Sequence, residues 1–236
     1  MKTTFKTIGI IGGMGSLATA ALFTKVLNLS GASSDAEYPR IFIDNNTTVP
    51  DRSEALLGRG ESPVPALLNS AETLAHAGAQ VLGMPCNTAH AFLPYIEASL
   101  RVPLVNMVSE TVDAVALRYP SARVGILCTT GTRFSGIYDA ALKAKALVPV
   151  NPNDGEQENV MRAIYGAEGI KAGNITKARE ILLPVCEKLI ASGADVIVLA
   201  CTELSLAVTP EVVNVPLVDT SDILAAALIR EARILI

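Results

Sequence analysis

Apolar runs and mixed stretches alternate along the whole chain. Short runs read as buried strands at 7–11, 40–44, 80–84, 103–105, 123–127, 147–150, 195–199 and 216–218. Their nearly unbroken apolar character is that of parallel strands covered on both faces. Helical patterns of about ten to eighteen residues separate most of them, such as LATAALFTKVL after the first strand and EILLPVCEKLI in the second half. Strands alternating with helices predict βαβ units, and hence an α/β fold built on parallel sheets.

The pattern also repeats. Ile8-Gly9-Ile10-Ile11 reappears as Val124-Gly125-Ile126-Leu127, with Gly125 lying 116 positions after Gly9. LAHAGAQVLGMPCNT from Leu74 reappears 115 positions on as LIASGADVIVLACTE from Leu189, and VPLVN from Val102 returns 113 positions on as VPLVD from Val215. Three landmarks in one order at nearly one offset predict an internal duplication. The expected architecture is two similar α/β halves, whose sheet ends face one cleft if a pseudo-twofold axis relates them. Helix 220–233 becomes the counterpart of helix 109–118. The expected halves are residues 1–108 together with the C-terminal helix 220–236, and residues 109–219.

Composition narrows the chemistry. Half of the 236 residues are hydrophobic and 18% are charged, which is too apolar for disorder. Nineteen basic against 23 acidic residues give a formal net charge of -4, with no positive excess to hold a phosphate backbone. With no Trp and only ten Phe and Tyr, the chain lacks a base-stacking platform, so no nucleic-acid partner is expected. Eighteen uncharged residues between Lys6 and Lys25 approach the length of a membrane span, but four glycines break them into a strand, a turn and a helix. No membrane partner is expected. Two histidines, His76 and His90, leave little for imidazole chemistry or a metal site, and no metal is expected.

The acid–base chemistry then falls to cysteine. Cys86, Cys128, Cys186 and Cys201 form no CxxC pair, and without an export signal they read as reduced thiols in a cytoplasm. The repeat places Cys86 and Cys201 at equivalent positions, each just past the C-terminal end of a buried strand, where parallel sheets bind ligands. Each precedes small polar residues, Asn87-Thr88 and Thr202-Glu203, that open a helical turn able to favour an anion. Cys186 lies on a helical pattern without a twin and reads as core. Cys128 aligns with Gly12 and reads as inert. Two like acid–base groups on opposite faces of one small substrate suit stereoinversion: one removes a proton and the other returns it. Carboxylates on such a substrate need cations. Arg52, after NNTTVPD, and Lys171, in IYGAEGIKAGN, are the candidates, although each read alone is equally a solvated surface charge.

Together MPCNTAH (84–90), ACTEL (200–204), GIIGGMG (9–15), VPDR (49–52), TTGT (129–132) and IKAGN (170–174) resemble the aspartate/glutamate racemase family, most of all its aspartate racemases. The motifs keep their order from about residue 7 to residue 219. The resemblance implies an α/β fold of two similar Rossmann-like domains, each a parallel sheet in three layers, related by a pseudo-twofold internal duplication with the active site in the cleft between them. The resemblance implies interconversion of L- and D-aspartate, with glutamate as a further substrate, without pyridoxal phosphate or any other cofactor, in a chain that is usually a homodimer. It implies Cys86 and Cys201 as the catalytic pair and Arg52 and Lys171 as carboxylate partners. It implies that Asn87, Thr88, Thr130, Thr202 and the backbone at Met14 hold the amino-acid end. Thr132 and Glu203 match the motifs without a firm role, and His90 reads as a structural residue at a helix start.

The chain departs from the family in three places. Ser16 stands where Pro often follows GGMG, Ala200 where Gly often precedes CTE, and Thr47-Thr48 replaces an Asn-Pro approach to the PDR turn. The last change lies near Arg52 and leaves strict aspartate specificity open. Other readings also stay open: a racemase of another amino acid or a hydantoin, a non-catalytic amino-acid-binding protein, or a dinucleotide-binding oxidoreductase. The last rests on Gly13-Met14-Gly15-Ser16-Leu17-Ala18, but Asp44 lies 29 residues past Gly15 rather than the ~20 that reading needs.

Overall fold

A computed structural model describes residues 4–234. The chain divides into two compact units, one running to Glu110 and resuming at Ser221, the other spanning Thr111–Thr220. The first contains β1 (Thr4–Phe5), β2 (Ile8–Ile11), α1 (Ser16–Leu29), β3 (Ile41–Asp44), α2 (Arg52–Leu56), α3 (Val64–Ala77), β4 (Val81–Gly83), α4 (Leu93–Ile96) and the start of α5 (Met107–Arg118). The second holds β5 (Arg123–Cys128), α6 (Thr130–Ser135), α7 (Ile137–Ala144), β6 (Val148–Val150), α8 (Asp154–Tyr165), α9 (Ile175–Ala191), β7 (Val196–Ala200) and β8 (Leu217–Asp219). The chain then forms α10 (Thr220–Ala232) and β9 (Arg233–Ile234).

The first unit carries a parallel sheet of order β3-β2-β4, and the second a parallel sheet of order β6-β5-β7-β8. The strand order is thus the same in both: the first strand is central, the second lies on one side of it and the third on the other. In the first unit alternation decides the layers. Ile8 and Ile10 pack with Leu22 and Val26 of α1 and with Leu224 and Leu228 of α10. Ile11 and Leu82 pack with Leu67, Ala71 and Leu74 of α3 on the other face. All four β2 residues are buried, each large aliphatic side chain stabilising the fold by roughly 1.5–3 kcal/mol. In the second unit Leu127, Ile197 and Leu199 pack against Val160 and Ile164 of α8 and Leu182, Val185 and Leu189 of α9.

Two expectations need correction. The run 103–105 forms no strand. Leu104 makes an isolated parallel bridge to Leu82, with Leu82 N–H donating to Pro103 O and Val105 N–H to Leu82 O. Pro103 has no N–H with which to extend a ladder. The C-terminal helix ends at Ala232 instead of continuing to 236, and Arg233–Ile234 pair antiparallel with Thr4–Phe5; residues 235–236 lie outside the described segment. Arg230 of α10 also grips Glu110 of α5 through two hydrogen bonds of 2.7 and 3.1 Å. At an exposed site such a pair contributes no more than ~1 kcal/mol.

The turn after β2 has a stricter requirement. Gly12 N–H continues the ladder to Asp44 O at 2.8 Å. Gly13 then takes φ +87°, where a Cβ would lie 2.2 Å from Asn46 O. Its N–H donates to Thr19 Oγ1 at 3.1 Å, and that hydroxyl donates to Gly15 O at 2.9 Å. Gly13→Ala should lower the urea-unfolding free energy by about 2 kcal/mol or more. Gly31→Ala, at φ +72° but in open space, should cost about 1 kcal/mol. Equal losses would show that the Asn46 contact has relaxed.

Candidate functional site

The registers determine what stands beside what. Ile10 opposes Gly83 in the first sheet, and Cys128 opposes Ala200 in the second. The loops leaving the first and third strands are therefore neighbours at the C-terminal edge of each sheet, where strand order switches and ligands of such sheets bind. Cys86 and Cys201 stand in those positions. Both thiols are buried, at 6% and 7% exposure.

Around Cys86, Met84 O accepts from Cys86 N–H at 2.8 Å, and the chain turns directly into the helical turn Thr88–Phe92. Asn87 and Thr88 are buried there. His90 Nε2 accepts from Met107 N–H at 3.1 Å, which puts the ring proton on Nδ1 and makes Nδ1 the donor to Cys86 O at 2.9 Å. The imidazole thus ties the thiol's backbone to the start of α5. Both nitrogens are engaged and burial holds the pKa below its ordinary value, so His90 is a neutral structural residue.

Met14 and Val49 share the Cys86 cluster. Val49 leads into the PDR turn, where Asp51 caps α2 by accepting from Ser53 N–H at 2.7 Å and Glu54 N–H at 2.9 Å. Arg52 curls back over that turn. Its Nη1 donates to Val49 O and Pro50 O at 3.1 and 3.0 Å, and Nη2 reaches Met14 O at 3.5 Å. Its Nε is buried without a partner. Arg52 is therefore a held guanidinium with one N–H in reserve, not a solvated loop cation. Thr48 folds onto Asn46, donating to Oδ1 through N–H at 3.1 Å and Oγ1 at 2.7 Å, while Ser16 accepts from Asn45 Nδ2 at 2.9 Å. The departures at 16 and 48 are thus absorbed locally.

Around Cys201 the chemistry is ionic. Cys201 Sγ donates to Glu203 Oε2 at 3.2 Å, and Thr202 Oγ1 donates to the same oxygen at 3.0 Å. Glu203 Oε1 pairs with Lys171 Nζ at 3.3 Å. The ammonium also lies 4.8 Å from the centre of the Tyr165 ring, in cation–π contact. Lys171 sits in the turn Ile170–Ala172, which closes at Gly173 with φ +86°. Thr130 opens α6, its N–H directed at Met161 Sδ at 3.2 Å. Thr132 is buried, donating its N–H to the capping Thr129 Oγ1 at 3.2 Å with a hydroxyl contact of 3.1 Å, which is a helix-start role.

The second unit brings Cys201, Thr202, Glu203 and Lys171 into direct contact, and places Thr130 on the neighbouring loop. Gln157 was not singled out in the sequence. It lies on the buried stripe of α8 with Val160 and Ile164, and a polar residue on an apolar stripe is the signal that could have found it. Its Nε2 donates to Cys128 O at 2.9 Å and reaches Thr130 Oγ1 at 3.4 Å. All four cysteines are free thiols. Burial pushes Cys128 and Cys186 up to about 12, so neither is a thiolate at neutral pH. Among the described residues no group of three or more His, Cys, Asp and Glu side chains could hold a metal ion, and no helix is long and apolar enough to cross a membrane.

These features define a two-unit parallel α/β protein with a buried thiol at the ligand-binding edge of each sheet. The chain belongs to the Asp/Glu/Hydantoin racemase family, whose sequence model matches residues 11–228. It is 30% identical over 222 residues to the broad specificity amino-acid racemase RacX of Bacillus subtilis, covering 92% of this chain and 94% of that protein. Its fold is similar to that of Picrophilus torridus aspartate racemase, with a TM-score of 0.84 and 33% identity over 95% of this chain and 93% of the other. It is also similar to an aspartate racemase homologue from Pyrococcus horikoshii, with a TM-score of 0.75 and 28% identity over 95% and 98% of the two chains.

His90 gives this half of the site a measurable pH dependence. The folded state resists protonating the ring, so the unfolded chain binds more protons and stability falls as pH drops below the unfolded imidazole's ~6.5. The loss is at most about 1.4 kcal/mol per pH unit. Urea titrations from pH 7.5 to 5 should show it, and His90→Gln should flatten that slope. A slope unchanged in the variant would remove His90 from this account.

Proposed function

We propose that the protein interconverts L- and D-aspartate by proton transfer at Cα between two cysteines, Cys86 and Cys201, without pyridoxal phosphate. The observation that carries this reading is the shared position of the thiols, each just past the third strand of its own sheet. Family membership supports racemisation, and the similarity to the Picrophilus aspartate racemase supports aspartate. One thiolate takes the Cα proton as the C–H bond breaks, and the electron pair spreads into the substrate carboxylate. The other thiol delivers its proton to the opposite face, so the two sulfurs end with exchanged protonation states.

Developing negative charge needs fixed donors. Arg52 offers its unpartnered Nε–H, and its planar fork suits a carboxylate held through two N–H groups. Lys171 is the second cation, and Asn87, Thr88, Thr130, Thr202 and the Met14 backbone hold the amino-acid end. The reading includes the homodimer implied by the family resemblance, and a cytoplasmic setting, which four free thiols suit. A broader amino-acid range is the second reading, favoured by the similarity to the Bacillus racemase and by the changed approach at Thr47-Thr48.

Purified protein incubated with L-aspartate in deuterated water, without added cofactor, should racemise it and place deuterium at Cα. Absence of exchange with aspartate, glutamate and a wider amino-acid panel would overturn the reading. Cys86→Ala and Cys201→Ala should each lower the racemisation rate by about 10²-fold or more; survival of the rate in either excludes the two-cysteine step. Arg52→Ala should reduce turnover of dicarboxylic substrates more than that of neutral amino acids, and equal losses would deny it carboxylate recognition.

A further inference from the structure

Among the described residues three buried side-chain polar atoms lack a hydrogen-bond partner: Thr4 Oγ1, Arg52 Nε and Gln157 Oε1. The last is an acceptor on a residue only 4% exposed. A buried carbonyl left without a donor is costly, and such groups are rare in folded proteins. The amide cannot escape by turning over. Its other end faces the Cys128 carbonyl at 2.9 Å, which requires a donor there, so Nε2 is fixed on that side and Oε1 on the other.

Several contacts locate this acceptor. Cys128 ends β5 and opposes Ala200, the residue before Cys201. Thr130, 3.4 Å from Gln157 Nε2, opens the loop beside Cys201. The amide is thus held at the end of β5, one strand over from the second thiol on the same edge of the sheet, by a helix whose start is fastened with a capping box at Asn153 and Glu156. The charges already described there are Glu203 and Lys171, which satisfy one another. A free, oriented, neutral acceptor remains.

An amino acid presents one group that such an acceptor suits, its α-ammonium, a cationic donor with three N–H bonds. We propose that Gln157 Oε1 binds the α-ammonium of the substrate and so separates amino acids from dicarboxylates of the same length that lack the nitrogen. This deepens the racemase reading and rests on it. Thr130 gains a related role, since its hydroxyl accepts from Nε2 and helps to hold the amide in its orientation.

The test measures binding, so it does not depend on turnover. In Cys86→Ser protein, used to suppress turnover, calorimetry should show L-aspartate binding more tightly than succinate, which carries both carboxylates and no ammonium. Gln157→Met, similar in length, should reduce that preference roughly ten- to a hundredfold while leaving succinate affinity unchanged. In NMR spectra the side-chain NH₂ signal that disappears in Gln157→Met should shift with aspartate and stay still with succinate. Equal loss of both ligands, or an unchanged preference, overturns the proposal and leaves Gln157 a structural residue with water on Oε1. If the parent protein binds no amino acid, the racemase reading fails and this inference with it.

Discussion

The parallel pairing of one central strand with neighbours on both sides is the constraint on which the rest depends. β2 lies between β3 and β4, and β5 between β6 and β7. Parallel pairing brings every chain exit to one edge of the sheet, and the switch in strand order leaves the first and third exits adjacent. Register then decides which atoms meet. Ile10 opposite Gly83 and Cys128 opposite Ala200 determine which loop residues stand beside each thiol.

Those loops are held by backbone polar groups more than by bulk. Gly12 N–H is satisfied by Asp44 O of β3, and Gly13 N–H and the Gly15 carbonyl by the Thr19 hydroxyl of α1. Asp51 caps α2 and Thr129 caps α6, so the two short helices begin at Arg52 and Thr130. His90 does the same for Cys86 by joining its carbonyl to an N–H of α5. Loops built this way lose little freedom when a ligand arrives, because their backbone is already ordered. Beside these loops Arg52 Nε of the first unit is a donor left without a partner, and Gln157 Oε1 of the second unit an acceptor.

Much of this was legible along the chain. Apolar runs bounded by turns located β2–β8 within a residue or so, most plainly for the central strands β2, β5 and β7, which are buried along nearly their whole length. The positions of Cys86 and Cys201 followed from those runs. The pattern did not predict β1 and β9, since two residues have no period. It overstated 103–105, where Pro103 interrupts donation to the ladder. The ion pair between Lys171 and Glu203 joins two loops far apart in sequence, so no local spacing announces it. Gln157 was hidden for the opposite reason: α8 is amphipathic enough to read as an ordinary core helix, and one polar residue on its buried stripe draws no notice until its partners are known.

The two thiols stand at matching places in sheets of matching order, yet their surroundings differ. Two positions past Cys86 is Thr88; two positions past Cys201 is Glu203, with Lys171 on its far oxygen. For an enzyme that interconverts mirror images this has a definite limit. Enantiomers have equal free energies in achiral water, so the forward and reverse values of kcat/KM must be equal, whatever each thiol prefers. A carboxylate on one side can therefore redistribute binding against turnover between the two enantiomers, but it cannot favour either at equilibrium. Under the two-cysteine reading, the Glu203–Lys171 pair shapes how fast each enantiomer is handled when it saturates the site, and the unlike halves remain compatible with an even product mixture.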